Sequence, residues 1–439
     1  MLRVPIIQAR SGMELAMPIF HPRRADTILL KVGVSLDGRV IGRLREQGIR
    51  EIWIRYPGLE FLEEVVSPDV AAAHMRITKH IAETFDEVAR DQNARLEFSE
   101  YRRAISGLLD KLSQSPKAAL FIEEIVDHSR PALRHASNVC LISVLMGLVL
   151  EDYLVHERRR LSSARAKDVT NLGVGAMLHD LGMLRLDVPT LERWNQTHDE
   201  SDQQWRRHVW IGHRMVRGQI DPTAAGILLH HHQKYDGSGF PSRSRLDGGR
   251  HALIGSEIHV FARIAAAADL FDRLRNPAHA PGAPVQGSIP VVRALGLLRE
   301  SPYRDWIDPV VFRALLAVVP PYPPGTIVTL SNGMRAAVVS FSGSEPCRPV
   351  VQRLGDEGFD VPRGKPERID LREATELRVV EAQGVDVSQD NFFSRSPGEF
   401  DVKATMRSLF NAAPRAGSES ARLLPVPADG APDAPLDGL

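Results

Sequence analysis

The spacing of apolar positions changes character several times along the chain. Thr27 to Val34 is β-branched and apolar, which predicts a strand. Ser35 is a suitable N-cap for a helix over Leu36 to Gln47, with Gly48 at its end, and Ile49 to Arg55 alternates as a second strand. From Pro68 to about Leu112 the chain is highly charged. Ile77, Ile81, Phe85 and Val88 recur there at three- and four-residue steps and mark one apolar helical stripe.

A nearly all-helical region follows. It predicts helices over Ala118–Asp127, Ala132–Val155, Ala164–His179, Asp202–Gln219, Thr223–His232 and Gly255–Arg275, then Val291–Arg299 and Pro309–Val318. Asn276 to Pro290 reads as a loop. After Pro320-Pro321-Tyr322-Pro323-Pro324 the pattern becomes strand-like. Gly325–Leu330 and Ala336–Phe341 flank the hairpin signal Ser331-Asn332-Gly333, and Val350–Leu354 and Leu371–Val379 add strands. Beyond Val385 the chain is polar and then rich in Pro, Ala and Gly, which predicts a disordered tail. The expected architecture is mainly α. A small α/β unit (1–66) is a regulatory or interaction cap, followed by a helical linker (67–115) and an all-α domain (116–319). A small β module (320–384) and the tail (385–439) complete it.

Composition narrows the function classes. Hydrophobic residues make up 43% and charged residues 25% of 439, and the formal net charge is +0, so a nucleic-acid polymer is not an expected partner. The two cysteines, Cys140 and Cys347, form neither a disulfide framework nor a zinc finger, and a reducing cytoplasm is the expected compartment. The longest apolar run, Val139 to Leu150, falls short of the ~20 residues that span a bilayer. It reads as a buried core helix, so no membrane association is expected, and the N-terminus lacks the pattern of a signal peptide. The charged helix near residues 70–112 offers a surface for a homodimer. His74 and His80 on it read as packing or surface residues.

Candidate chemistry lies in the helical region, where ten of the 16 histidines fall between residues 128 and 232. In Leu229 to Pro241 three consecutive histidines leave an apolar helix and enter a Gly/Asp/Pro turn, either the wall of a metal site or an exposed helix end. In Met177-Leu178-His179-Asp180-Leu181-Gly182 an apolar helix delivers an imidazole beside a carboxylate whose two oxygens can bridge two metals. Asp269 interrupts the apolar run Ile264 to Leu270 and is costly to bury unless paired or ligating.

In order and spacing these residues resemble the HD-GYP branch of the HD phosphohydrolases. The matching segments are Arg134-His135-Ala136-Ser137-Asn138-Val139, the His179-Asp180 doublet, His208-Val209-Trp210-Ile211-Gly212, and His231-His232-Gln233-Lys234-Tyr235-Asp236-Gly237-Ser238-Gly239-Phe240-Pro241, followed by Asp269. The flanking units resemble domains often fused to this family, so the resemblance extends to about residue 380. It implies an all-helical HD-domain core and metal ligands His135, His179, Asp180, His208, His231, His232 and Asp269, with His179 and Asp180 as the catalytic doublet. It implies two divalent metals, iron or manganese with zinc also suited, and hydrolysis of cyclic di-GMP to pGpG or GMP. Substrate contacts would come from Arg185, Lys234, Asp236, Gly237, Gly239, Phe240 and Pro241, and a GGDEF-type partner would dock at the Gly-Phe-Pro loop. Gly237 and Asp236 shape that turn and Gly239 permits positive φ. His230 has no ligand role in the pattern and is expected at the helix end, orienting a ligand, and Asp272 is expected as a structural acid.

Four positions depart from the family. Pro131 stands where some members have a third-metal glutamate. Met183 replaces a phosphate-contacting lysine, Gln233 a glutamate and Phe240 a tyrosine. Arg185 or Lys234 is the expected substitute charge. A protein that keeps the metal cage and binds cyclic di-GMP or a partner without turnover is the competing reading, and another phosphoester as substrate is a third.

Overall fold

The computed structural model describes residues 1–21, 24–63, 68–91, 97–114, 130–244, 250–276, 288–355 and 366–412. The expected helix Ala118–Asp127, most of the 276–290 loop and residues 413–439 lie outside these. The fold is mostly helical, with small sheets near the N-terminus and a six-stranded antiparallel sheet near the C-terminus.

The N-terminal unit comprises Leu2–Pro5 (β1), Ile19–His21 (β2), Arg24–Leu30 (β3), Gly38–Glu46 (α1) and Glu51–Ile54 (β4). β1 pairs antiparallel with β4, and β2 with β3. The helix starts two residues later than the sequence suggests, because the Asp37 carboxylate rather than Ser35 caps it, accepting from the Val40 N–H at 2.8 Å. This unit shares its core with the C-terminal sheet. Leu2, Val4, Ile52 and Ile54 pack in one cluster with Ala337, Val339 and Leu354.

The charged stretch forms two helices, Pro68–Arg90 (α2) and Phe98–Gln114 (α3), which pack on one another with Ile77, Ile81, Phe85 and Val88 in the main core. The helical domain continues with Pro131–Val149 (α4), Glu151–Glu157 (α5), Ser163–Lys167 (α6), Thr170–Leu178 (α7), Val188–Thr197 (α8), Gln203–Arg206 (α9), His208–Val216 (α10) and Pro222–His230 (α11). A short ribbon of Arg243–Ser244 (β5) and Arg250–His251 (β6) precedes Val260–Arg275 (α12), Val291–Leu298 (α13), Tyr303–Trp306 (α14) and Pro309–Val318 (α15). Three of these helices begin on an aspartate cap with proline in the first turn: Asp187 before α8, Asp221 before α11 and Asp308 before α15. α4 is long and apolar enough to cross a membrane, yet most of it is buried inside the fold, packed by α7, α12 and α15.

The C-terminal sheet contains Ile327–Leu330 (β7), Arg335–Ser340 (β8), Val350–Arg353 (β9), Arg368–Asp370 (β10), Val379–Ala382 (β11) and Val385–Asp386 (β12), in the order β10-β9-β8-β7-β11-β12. The β7–β8 hairpin turns at Asn332-Gly333 with Gly333 at φ 81°. The expected strand Leu371–Val379 is instead a turn region between two shorter strands. Within the expected tail, residues 386–412 are ordered. Phe392 and Phe400 are buried, Arg313 donates to the Glu399 carbonyl at 3.0 Å, and Val402–Ala412 (α16) packs on α15.

Candidate metal centre

Five helices meet around the His179–Asp180 doublet. α7 ends at Leu178, so His179 and Asp180 leave the helix at its C-terminus, and the His179 Nδ1–H donates to the Ala176 carbonyl at 2.8 Å. The next turn then crosses α10 in direct backbone contact. A Cβ on Gly182 would lie 2.0 Å from the His208 carbonyl oxygen and 2.6 Å from the Gly212 nitrogen. This crossing explains why a glycine follows each of the two histidines, and it brings His208 over Asp180.

The imidazoles are oriented by their own backbones. His208 Nδ1 donates to the Trp205 carbonyl at 2.7 Å, and His231 Nδ1 to the Leu228 carbonyl at 3.1 Å. With the proton on Nδ1, each Nε2 of His179, His208 and His231 carries a lone pair. These nitrogens face other imidazole nitrogens. His208 Nε2 lies 3.4 Å from His231 Nε2 and 3.2 Å from His232 Nε2, and His179 Nε2 lies 3.2 Å from His135 Nε2. Around His208, His231 and His232 converging lone pairs repel one another unless a proton or a cation lies among them, so this donor set fits a metal ion.

The donors form two groups able to hold metal ions, Asp180/His208/His231/His232 and His135/His179/Asp269. Asp180 also reaches across to the second group. Its Oδ1 faces His208 at 3.6 Å and His231 at 3.5 Å, while its Oδ2 faces His179 at 3.5 Å and His135 at 3.8 Å. Its side chain is 28% exposed, against 3% for Asp269 and 0% for His179, His208 and His231.

Electrostatics separate the groups. Burial lowers His208 to about 4 and His232 well below its usual range, so both are neutral. Burial also disfavours charge on Asp180, but the surrounding imidazoles outweigh it and hold the carboxyl well below its normal value. In the second group burial opposes a proton on His135, yet hydrogen bonds to Asp269 and Asp272 override it and raise this imidazole to about 10. Asp272 Oδ2 lies 2.7 Å from His135 Nδ1, and its Oδ1 accepts from Asn138 at 2.7 Å. It thus fixes the ring with Nε2 toward Asp269, 3.1 Å away.

All seven residues that the resemblance implied as ligands come together. His230 lines a separate cavity of about 300 Å³ with His259, Arg243, Arg263 and Glu157.

The expected substrate contacts fare differently. Arg185 donates to the Asp91 carbonyl at 2.6 Å, just past the end of α2, which ties its guanidinium toward that helix. Lys234 pairs with Glu200 at 3.0 Å and sits 3.3 Å above the Trp306 ring. Asp236 accepts from the Ser238 backbone and hydroxyl, which makes it a turn residue. Positive φ falls at Gly237, 84°, and not at Gly239. Gly239 is required for another reason: a Cβ there would lie 2.3 Å from the Lys234 nitrogen and 2.4 Å from the His232 carbonyl oxygen. Phe240 is buried. It stacks on His232 at 4.8 Å and packs with Trp205, Val209, Leu229 and Met183, so it faces the apolar support of the site. Gln233 donates to the Pro241 carbonyl at 2.6 Å and closes the loop, a bond that an ionised glutamate cannot make.

Sequence reasoning missed Arg273, Glu200 and Trp205. Arg273 Nη2 pairs with Asp269 Oδ2 at 2.8 Å, and its Nη1 pairs with Glu200 Oε1 at 2.9 Å. Its position one helical turn after Asp269 is the signal that could have found it. Trp205 stacks on Trp194 at 3.8 Å and supports the His208 and His232 rings.

With this geometry established, comparison with known proteins assigns the class. Residues 121–311 match the family described as HD domain. Residues 121–311 thus carry an HD domain, and the chain is similar to HD-GYP-type cyclic di-GMP phosphodiesterases. It is 26% identical over 385 residues to cyclic di-GMP phosphodiesterase PA4108 of Pseudomonas aeruginosa, an alignment covering 80% of this chain and 84% of that one. It is 37% identical over 125 residues to the cyclic di-GMP phosphodiesterase response regulator RpfG of Xanthomonas campestris, covering 28% of this chain and 30% of that protein. Among solved structures, Bd1817, an HD-GYP-type protein of Bdellovibrio bacteriovorus, aligns with TM-score 0.41 and 15% identity over 72% of this chain and 98% of that one.

Proposed function

We propose that this HD-GYP-type phosphohydrolase hydrolyses cyclic di-GMP, giving pGpG or GMP. The observation that carries this reading is Asp180, whose two oxygens face the two donor groups separately. Asp180, His208, His231 and His232 would hold one divalent ion, and His135, His179 and Asp269 a second, with Asp180 shared. Iron and manganese suit these imidazole and carboxylate donors, as does zinc. Bound ions would offset the charge of the phosphodiester and lower the pKa of a water at the site.

The chain's own residues do the rest. The backbone carbonyls that hold the His179, His208 and His231 Nδ1 protons fix the rings before any ion arrives. Asp272 and Asn138 do the same for His135. The Trp205–Phe240 wall excludes water from behind His232. The open side of the centre is at Asp180, the most exposed of the seven, and the phosphodiester would approach there.

The test is elemental analysis of the purified chain paired with a cyclic di-GMP turnover assay on the same preparation. Two ions per chain and nucleotide product are expected, and metal-loaded protein giving no product over hours would sink the reading. Met183 supports a second reading, a cyclic di-GMP-binding adaptor. It replaces the family's lysine and packs into the apolar wall. Binding of cyclic di-GMP without product selects that alternative.

A further inference from the structure

Glu200 stands in the short connection between α8 and α9, and its carboxylate is shared by two cations from separate elements. Oε1 lies 2.9 Å from Arg273 on α12, and Oε2 lies 3.0 Å from Lys234 in the loop after His232. One anion bridged by a guanidinium and an ammonium, one oxygen to each, is the arrangement in which proteins hold phosphate. Arg273 also reaches inward. Its second nitrogen meets Asp269 Oδ2 at 2.8 Å, while Asp269 Oδ1 faces His135 at 3.1 Å. The guanidinium therefore touches one candidate ligand, Asp269, directly.

Exposure steps up once along this chain of charges, between Asp269 and the three groups beyond it. The Asp269 side chain is 3% exposed, and those of Lys234, Glu200 and Arg273 are 18%, 23% and 25% exposed. The pair thus lies at the rim of the centre, where an incoming anion reaches it. The Glu200 backbone is anchored independently, because Arg206 Nε donates to its carbonyl at 2.6 Å, so the carboxylate can rotate away without the loop moving. The charges alternate as Asp269, Arg273, Glu200, Lys234, and a phosphodiester in place of the carboxylate preserves that alternation.

We propose that Arg273 and Lys234 form the phosphate-binding pair of this site, and that the Glu200 carboxylate occupies it until a substrate phosphate displaces it. The pair supplies the charge that Met183 lacks, from residues on different elements. The proposal rests on the phosphodiesterase reading for its substrate but not for its anion.

The experiment uses the full chain loaded with manganese, in wild-type, Glu200→Gln, Arg273→Gln and Arg273→Lys forms. Each is measured for metal content, for inorganic phosphate affinity by calorimetry, and for KM and kcat on cyclic di-GMP. Glu200→Gln should tighten phosphate and lower KM about threefold by removing a competing charge. Misfolding cannot produce that gain. Arg273→Gln should weaken phosphate and raise KM about tenfold at unchanged metal content, with Arg273→Lys recovering part of the loss. Unchanged or weaker phosphate binding in Glu200→Gln overturns the proposal and makes the ion pair a structural tie. Loss of metal in Arg273→Gln also overturns it, since the arginine then acts by holding Asp269. The two readings fail separately. If phosphate affinities shift as expected while the wild type yields no product from cyclic di-GMP, the substrate assignment falls and the anion pair stands. If the wild type turns over and the affinities do not move, the pair falls alone.

Discussion

The two donor groups meet at one carboxylate yet are built on opposite principles. Asp180/His208/His231/His232 is a set of buried rings with a single acid; backbone carbonyls aim His208 and His231, and burial keeps His208 and His232 neutral. His135/His179/Asp269 is charged: Asp272 and Asp269 flank His135 and hold a proton on it, and Arg273 backs Asp269. The first group is preorganised by the main chain and needs little besides its fold. The second depends on side chains from α4 and α12 holding one another. Loss of a supporting residue should therefore damage the second group selectively.

The largest effect is expected where the groups join. Asp180→Asn should lower metal content at both groups and cut turnover about 10²–10³-fold, because one change removes the shared charge. Retention of one full-affinity ion would show that the groups are independent. Next is Asp272→Asn, which should weaken the His135/His179/Asp269 group about 10–100-fold in metal affinity and leave the other group intact. Metal titration that finds both groups equally weakened would break the distinction drawn between them. Met183→Lys should raise kcat/KM by no more than about threefold at constant metal content, because Arg273 and Lys234 already supply the phosphate-binding charge. A tenfold gain there would show that the pair is insufficient.

The smallest effect is the pH dependence of the metal-free protein. The folded-state value of His135, about 10, lies above its unfolded value, so its stabilisation is complete below about pH 6.5 and is lost as pH rises toward 10. His208, at about 4, lies below its unfolded value. Its contribution is complete above about pH 6.5 and is lost as pH falls toward 4. Melting curves of metal-free His135→Gln should show less loss than wild type on the alkaline side, and those of His208→Gln less loss on the acid side, each by a few degrees. Equal behaviour of the two variants would contradict the opposed electrostatics.

Much of this was legible from spacing. α15 has its expected bounds, and the family resemblance carried by the order of His135, His179-Asp180, His208, His231-His232 and Asp269 named every member of the two groups. What spacing could not supply was the direction of long polar side chains. Arg185 and Lys234 were natural candidates for free charge, but tertiary contacts with Asp91 and with Glu200 and Trp306 occupy them. Arg273 went unnoticed because its partner Glu200 is remote in sequence. Gly239 was assigned to positive φ, a local property, whereas close approach of the backbone across the loop requires it. The segment after residue 385 looked unstructured because its order comes from α15 and from a few buried aromatics rather than from a periodic pattern.

The N-terminal unit carries a further consequence, for the timing of folding during synthesis. Its core is completed by Ala337, Val339 and Leu354, and Gln383 donates to Glu51 across 332 residues of chain at 2.8 Å. β1 to β4 therefore emerge from the ribosome long before their covering surface exists. They wait, with Leu2, Val4 and Ile54 incompletely shielded, until β7 to β9 have been translated. Such late closure makes the nascent chain vulnerable at β1 to β4. Destabilising substitutions in β7 to β9 should consequently appear first as aggregation through the N-terminal strands, with the helical centre already formed.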